Sequence, residues 1–160
     1  MIKALHMDDR LIHGQVAISW TRSVDANVIL VISDTVVNDN MRKMALKMAV
    51  PPAVKYGFRS VEDGIAFLQG PESAKYKILA LVDDPIAAAK VALAVKDSIT
   101  RLTVGGIRKD APHYYSMLNL TDEDVAALLS ISDAGIPVEY LPTPADKAVN
   151  LEPYLRKGAN

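Results

Sequence analysis

One short segment of the chain combines the residue types that bind and transfer anions. Asp8-Asp9-Arg10 is followed, after two apolar residues, by His13-Gly14-Gln15. An imidazole can accept a phosphoryl group or move a proton, and a guanidinium forms forked, charge-assisted hydrogen bonds with phosphoryl oxygens. Gly14 lets the backbone approach a ligand closely or adopt a positive φ. These residue types indicate an anion or phosphoryl site, although a single histidine is more often a surface or core residue.

The position of this segment between two predicted elements supports the site. An apolar run over residues 2–7 precedes it, and Val16-Ala17-Ile18 follows it. The polar residues are therefore confined to a short loop between a first strand and a first helix. A helix N-terminus offers unpaired N–H groups and a partial positive charge, so it binds anions well.

Short apolar runs alternate with longer segments of helical period along the whole chain. The predicted strands cover residues 2–7, 27–33, 53–59, 77–82, 101–104 and 136–141. The predicted helices cover residues 13–23, 36–50, 60–69, 85–96 and 122–134, with N-caps at Ser60, Asp84 and Thr121. This alternation predicts a single-domain, doubly wound α/β fold with a mostly parallel sheet and helices on both faces. Pro137 places an edge strand near the C-terminus.

The carboxyl ends of parallel strands meet at one edge of a sheet, where ligands bind in this fold class. The expected edge gathers Asp8-Asp9-Arg10, Ser33-Asp34, Asp83-Asp84 and Gly105-Gly106. Ser33, Asp34, Gly105 and Gly106 are therefore candidates to support a bound phosphoryl group, although turn formation explains them equally well. Asp8 and Asp9 are candidates to orient His13 or Arg10, and helix capping or loop solvation are the alternatives.

Composition excludes several classes of protein. The 160 residues contain no cysteine, which rules out disulfides, thiolate catalysis and cysteine-ligated metals. A net charge of -1 gives no reason to expect nucleic acid or an acidic membrane surface as a partner. The N-terminus is unlike a signal peptide, and no apolar run is long enough to span a membrane. We expect a cytoplasmic protein with no cofactor, no metal and no direct membrane insertion.

The segment Asp8–Val16, followed by Trp20, also resembles the active-site signature of a known family. These are the IIB subunits of the mannose/fructose/sorbose class of the bacterial phosphoenolpyruvate-dependent sugar phosphotransferase system (PTS). The resemblance covers almost the whole chain and includes Ala26-Asn27 before the second strand, Pro51-Pro52, Val104-Gly105-Gly106 and residues 134–138. One departure is His6, where these proteins commonly have an arginine.

The resemblance implies a specific function. Such subunits accept a phosphoryl group from a phosphohistidine of the IIA domain. They transfer it to a sugar held by the membrane subunits IIC and IID, as protein-phosphohistidine–sugar phosphotransferases. His13 occupies the phosphorylated position, with Nδ1 as the expected acceptor and Arg10 as the stabilising cation. The protein would be cytoplasmic and peripherally associated with the membrane transport complex.

Two other classes of protein share some of these features. A receiver-type signalling domain also has paired acidic residues after its first strand. It needs a phosphorylatable aspartate at the end of the third strand, however, where this chain has Phe58-Arg59-Ser60. A non-catalytic anion- or nucleotide-binding module is the other alternative, but the chain has no Walker-type loop and no Gly-x-Gly-x-x-Gly sequence.

Some residues with chemical potential are interpreted as structural. Trp20 and the three methionines of the second helix have helical spacing, which favours packing. Those methionines are Met41, Met44 and Met48. His6 lies within the first predicted strand and is interpreted as structural. His113 is placed in a loop, where the sequence assigns it no role.

Overall fold

Strands and helices alternate through most of the chain, and the computed structural model describes residues 1–160. The strands are β1 (Ile2–Asp8), β2 (Val28–Ile32), β3 (Lys55–Arg59), β4 (Ile78–Val82), β5 (Leu102–Gly106), β6 (His113–Tyr115), β7 (Leu118–Asn119), β8 (Val138–Tyr140) and β9 (Val149–Asn150). The helices are α1 (Gly14–Ser23), α2 (Asn40–Met48), α3 (Val61–Gln69), α4 (Pro85–Ala94), α5 (Asp122–Asp133) and α6 (Glu152–Lys157). All six predicted strands and all five predicted helices are present. The additional elements β6, β7, β9 and α6 have six residues or fewer, too few for a periodic pattern.

The main sheet has seven strands in the order β3-β2-β4-β1-β5-β8-β9. Every neighbouring pair is parallel except β8 and β9. From β1 the chain moves outward through β2 to β3, and it then returns to β4 and continues to β5 and β8. With right-handed crossovers, this reversal places the first two helices on one face and the next three on the other. The predicted doubly wound α/β fold is confirmed.

Alternating side chains of the central strands form two hydrophobic cores. Ile29 and Val31 of β2 pack with α1 and α2, whereas Leu30 and Ile32 pack with α3, α4 and α5. The strand is fully buried because both faces are covered, which explains its uninterrupted apolar sequence. None of the helices combines the length and the apolar character needed to cross a membrane.

The C-terminal edge of the sheet differs in detail from the prediction. Pro137 precedes β8, and its carbonyl accepts a hydrogen bond from the N–H of Leu102. The outermost strand is the two-residue β9, which pairs antiparallel with β8. The proline therefore interrupts no hydrogen bond of the sheet, because it lies just outside the strand.

The predicted N-caps at Ser60, Asp84 and Thr121 are confirmed, since each side chain accepts a backbone N–H of its helix. The second helix starts later than predicted. Residues 36–38 form a 3-10 turn, and the carboxylate of Asp39 accepts the N–H of Arg42 to begin α2 at Asn40. Aspartate is among the preferred N-cap residues, so α2 begins directly after Asp39.

Packing of the large side chains confirms one interpretation and contradicts another. Trp20 is buried, and its indole Nε1 donates to the carbonyl of Pro142 at 3.0 Å. The interpretation of Met41, Met44 and Met48 as packing residues is wrong, because their exposed fractions are 83%, 66% and 88%. The residue of α2 that is buried in the core is Leu46 instead.

Candidate active site

The loop between β1 and α1 is held in an unusual backbone conformation. Leu11 has φ of 57° and Gly14 has φ of 45°. A left-handed conformation is unfavourable for leucine, by about 1–2 kcal/mol. The side chains of Leu11 and Ile12 are buried beneath α1, and the Leu11 N–H donates to the carbonyl of Asp8 at 2.9 Å. This burial anchors the loop and leaves its polar residues at the sheet edge.

Asp8 is the buried centre of the site, with only 2% of its surface exposed. Its Oδ1 accepts the backbone N–H of Arg10 at 2.9 Å and Nη1 of Arg108 at 3.1 Å. Burial by itself raises the pKa of Asp8, but the hydrogen bonds from Arg10 and the charge of Arg108 outweigh it and lower that pKa. Asp8 is therefore an ionised carboxylate despite its burial.

His13 occupies the N-cap position of α1, but its side chain makes no capping hydrogen bond. Its Nε2 lies 3.4 Å from Oδ2 of Asp8, and its Nδ1 has no hydrogen-bond partner in the protein. Burial is the largest influence on the pKa of His13 and lowers it, with Arg10 and Arg108 adding to the shift and Asp8 opposing it. The imidazole is therefore neutral at pH 7. A proton held on Nε2 by Asp8 leaves the lone pair on Nδ1.

Two guanidinium groups, those of Arg10 and Arg108, lie close enough to this histidine for their charges to act on it. The side chain of Arg10 is 49% exposed, and its Nε lies 3.4 Å from Oδ1 of Asp8. The first turn of α1 contains no acidic residue, so its N–H groups face no carboxylate of their own helix. Gln15 lies exposed in that turn. A neutral nucleophile beside a guanidinium and a helix N-terminus is suited to accept an anionic group.

Arg108 is a member of the site that sequence reasoning missed. Its Nη1 donates to both Asp8 and Asp9, and its backbone N–H donates to Oδ2 of Asp9 at 2.6 Å. Asp9 is thus bound to the segment that follows β5. The available signal was a basic residue two positions after Gly105-Gly106, at the carboxyl end of a predicted strand.

The two glycines of β5 give the carboxylate and the guanidinium room to approach. A Cβ at Gly105 would overlap Oδ2 of Asp8 and lie 3.0 Å from Nε2 of His6. A Cβ at Gly106 would lie 2.8 Å from Nη2 of Arg108. Both glycines therefore lie against side chains of the site, Asp8 for Gly105 and Arg108 for Gly106. Their support of a bound phosphoryl group stays a prediction.

Ser33 and Asp34 make their hydrogen bonds outside the His13 loop. The buried Ser33 hydroxyl donates to Oδ2 of Asp83 at 2.7 Å, and Asp34 accepts the N–H of Val61 at the start of α3 at 2.8 Å. Burial raises the pKa of Asp83, and the Ser33 hydrogen bond opposes the shift. The hydrogen bonds of Ser33 and Asp34 thus connect the carboxyl end of β2 to the end of β4 and to the start of α3.

A second arginine missed by sequence reasoning connects α2 to the loop. Nη2 of Arg42 donates to the backbone carbonyl of Asp9 at 3.0 Å. The first turn of α2 therefore lies beside the loop that carries His13. Helical spacing by itself does not indicate such a contact, because it depends on how α2 lies across the sheet.

The other two histidines lie in different surroundings. His6 is buried in β1, with Nδ1 2.7 Å from the hydroxyl of Thr103 and with Nε2 unpaired. Its burial lowers its pKa to about 4. His113 begins β6 rather than lying in a loop, and it contacts Ser116 and Asn160 at the C-terminus. Its hydrogen bonds thus connect β6 to the end of the chain.

Comparisons with known proteins give a consistent result. The model of the PTS system sorbose subfamily IIB component matches residues 2–160. A probable phosphotransferase enzyme IIB component of Streptococcus pyogenes is 33% identical, over 89% of this chain and 93% of that protein. The mannose-specific EIIAB component of Escherichia coli is 29% identical, over 98% of this chain and 49% of that protein. The crystal structure of the IIBSor domain of the Klebsiella pneumoniae sorbose permease superposes with a TM-score of 0.87 and 26% identity, covering 99% of this chain and 98% of that one.

Proposed function

This chain belongs to the sorbose subfamily of PTS IIB components, and from that premise we propose that His13 is its phosphoryl carrier. As a IIB component the protein takes part in phosphoryl transfer during sugar uptake. His13 accepts the phosphoryl group from phospho-IIA and transfers it to a sugar bound by the membrane subunits IIC and IID. Residues 1–160 form one IIB domain in this proposal.

The observation that carries the proposal is the orientation of His13. Its Nε2 lies against the carboxylate of Asp8, 3.4 Å away, while Nδ1 has no partner in the protein. This arrangement favours the tautomer with the proton on Nε2, so Nδ1 is the nucleophile. The lowered pKa of His13 supports the same role, because a protonated imidazole has no lone pair to attack phosphorus.

The transfer itself is a displacement at phosphorus. The Nδ1 lone pair forms a bond to phosphorus as the bond to the donor imidazole breaks, and the released electron pair returns to the donor nitrogen. In the second step a sugar hydroxyl oxygen bonds to the same phosphorus as the bond from phosphorus to Nδ1 breaks. Nδ1 regains its lone pair, and the hydroxyl proton passes to water. Charge spreads over the three other phosphoryl oxygens in both steps, so electrostatic stabilisation and positioning provide most of the catalysis.

Two arginines divide this electrostatic work. Arg10 is half exposed and only loosely paired with Asp8, so its guanidinium can turn toward a phosphoryl group. Arg108 is engaged by both Asp8 and Asp9 and holds the carboxylates in place. Arg10 is therefore proposed as the transition-state donor and Arg108 as a positioning residue. The α1 N-terminus, with Gly14 and Gln15, adds backbone N–H donors.

The partners follow from this role. The mannose-specific EIIAB relative supports a IIA domain as the donor, because it is named as a combined IIA and IIB component. We propose IIC and IID as the membrane partners, and a cytoplasmic protein associated peripherally with them. Each partner needs in-line access to the same Nδ1, so the two bind in turn and not together.

The proposal is tested by labelling with phosphoenolpyruvate, the general PTS proteins and a cognate IIA domain. One phosphoryl group is expected on His13, lost in acid and stable in base. His13→Ala should accept none, whereas His113→Ala should retain normal acceptance. Labelling of His13→Ala at the wild-type level contradicts the proposal, and a base-labile label would indicate the acyl phosphate of a receiver-type domain.

A further inference from the structure

The exposed side of α2 carries an apolar stripe that has no partner in the chain. Met41, Met44 and Met48 are spaced by three and four residues, so they lie on one face of the helix. Their exposed fractions of 83%, 66% and 88% place most of each side chain in water. We call these three residues the Met face. A contiguous exposed apolar surface of this kind is typical of an interaction site.

The N-terminal end of α2, where the Met face begins, is linked to the active-site loop. Arg42, next to Met41, donates to the carbonyl of Asp9 at 3.0 Å. From Met41 to Met48 the helix advances about 10 Å away from this contact. An interface of roughly 600 Å² per partner covers a patch about 14 Å in radius. A partner of this size that docks over the active-site loop can therefore extend onto the first turns of α2, where Met41 and Met44 lie.

The charges of α2 indicate which of the two partners fits. The helix contains Arg42, Lys43 and Lys47 and no acidic residue. In the proposed relay the donor arrives with an anionic phosphoryl group, whereas the acceptor presents a neutral sugar hydroxyl. A basic helix attracts the loaded donor and loses part of that attraction once the phosphoryl group has moved to His13.

We propose that the Met face, with its flanking lysines, is the docking surface for the phosphorylated IIA domain. The inference rests on the function proposed above. The matching surface of the donor is an apolar patch with carboxylates at its rim. Methionine suits such a contact because its flexible side chain adapts to the partner, and weak, rapidly reversed association is what a relay requires.

The test compares Met41→Gln/Met44→Gln/Met48→Gln with wild type, using Met117→Gln as the control. Glutamine has nearly the helix propensity of methionine, so α2 should remain folded. Met117 is also exposed, at 50%, but lies between β6 and β7. Initial rates of phosphoryl transfer to each protein are measured from phospho-IIA and, separately, from phosphoramidate, a small phosphoryl donor without a docking surface.

The expected result is a kcat/KM from phospho-IIA at least about tenfold lower in the triple variant, mainly through KM. Labelling by phosphoramidate and the rates of the control should stay at the wild-type level. A second variant, Lys43→Gln/Lys47→Gln, should reduce the salt dependence of the rate from phospho-IIA.

Other outcomes overturn the inference. A normal rate from phospho-IIA excludes the donor as the occupant, and reduced sugar phosphorylation would then identify the membrane subunits. If wild type binds anionic phospholipid vesicles and the triple variant does not, the occupant of the Met face is lipid. If wild type sediments as a dimer and the triple variant as a monomer, the occupant is a second copy of the chain. Equal slowing with both donors would place the effect in the chemistry of His13. If wild type is labelled by neither donor, the proposed function fails first, and the docking inference fails with it.

Discussion

Substitution of Gly105 tests the geometry of the site most directly. The backbone of Gly105 has no positive φ, so alanine is conformationally allowed there. Its Cβ, however, would overlap Oδ2 of Asp8. The carboxylate cannot move away freely, because its other oxygen accepts from Arg10 at 2.9 Å and from Arg108 at 3.1 Å.

The expected cost follows from these contacts. Displacing Asp8 weakens at least one hydrogen bond between charged groups, worth about 1.5–3 kcal/mol. Replacing glycine by alanine returns about 0.4–1 kcal/mol, because it restricts the unfolded chain. The net loss is about 0.5–2.6 kcal/mol in the free energy of unfolding, or about 1–10 °C in Tm for a chain of this size. The displaced carboxylate also no longer orients His13, so phosphoryl transfer should fall by about ten- to a hundredfold, the scale expected for a misplaced reacting group.

Gly57→Ala is the matched control. Gly57 also lies in a strand, but its added Cβ would meet only Cδ1 of Leu30, at an ordinary 3.6 Å. This variant should keep wild-type transfer and unfold at or slightly above the wild-type temperature. Thermal unfolding and single-turnover transfer from phospho-IIA measure both quantities. Wild-type stability and rate in Gly105→Ala would refute the argument that this glycine makes room for Asp8.

Three further predictions concern the same region. Arg10→Ala should slow transfer about a hundred- to a thousandfold with little loss of Tm. Arg108→Ala should lower both the transfer rate and Tm, because it releases two carboxylates. Single-turnover rates and melting curves measure both quantities, and equal effects of the two substitutions would contradict this division of roles. The transfer rate should be constant near pH 7 and fall only below pH 6.5, because the pKa of His13 lies below that ordinary value, and a rate profile with its midpoint above 6.5 contradicts this. The unfolded state binds a proton at His6 between pH 6.5 and about 4 while the folded state does not. The free energy of unfolding should therefore decrease as the pH is lowered from 6.5 to about 4, by up to about 1.4 kcal/mol per pH unit. Denaturant titration of His6→Gln at several pH values should show that this part of the pH dependence is lost.

Features that depend on neighbouring residues could be predicted from the sequence. The apolar runs of β2 and β4, the N-caps Ser60, Asp84 and Thr121, and the position of His13 between a strand and a helix are all local patterns. Hydrogen bonds between a cap and the backbone three residues away form within one segment of chain, so the sequence shows both partners together. The alternation of strands and helices then restricts the topology to the doubly wound class.

Contacts between distant segments could not be predicted in this way. Arg108 lies 100 residues from Asp8 in sequence, yet it pairs with Asp8 because β1 and β5 are neighbouring parallel strands. In the sequence Gly105 looks like an ordinary turn residue. Only the structure shows that the carboxylate of Asp8 occupies the space where a Cβ would lie. Asp34 lies just after the end of β2, much as Asp8 lies at the end of β1, but its hydrogen bond goes to the start of α3.

The same limit explains the methionines of α2. Helical spacing of Met41, Met44 and Met48 shows that they share a face, and that much follows from the sequence alone. Whether that face points into the core depends on how the helix is rotated against the sheet. That rotation is fixed by the burial of Leu46 and by the hydrogen bond from Arg42 to the carbonyl of Asp9. Periodicity defines which side chains lie together on a helix, and only tertiary packing determines whether they meet the core, the solvent or another protein.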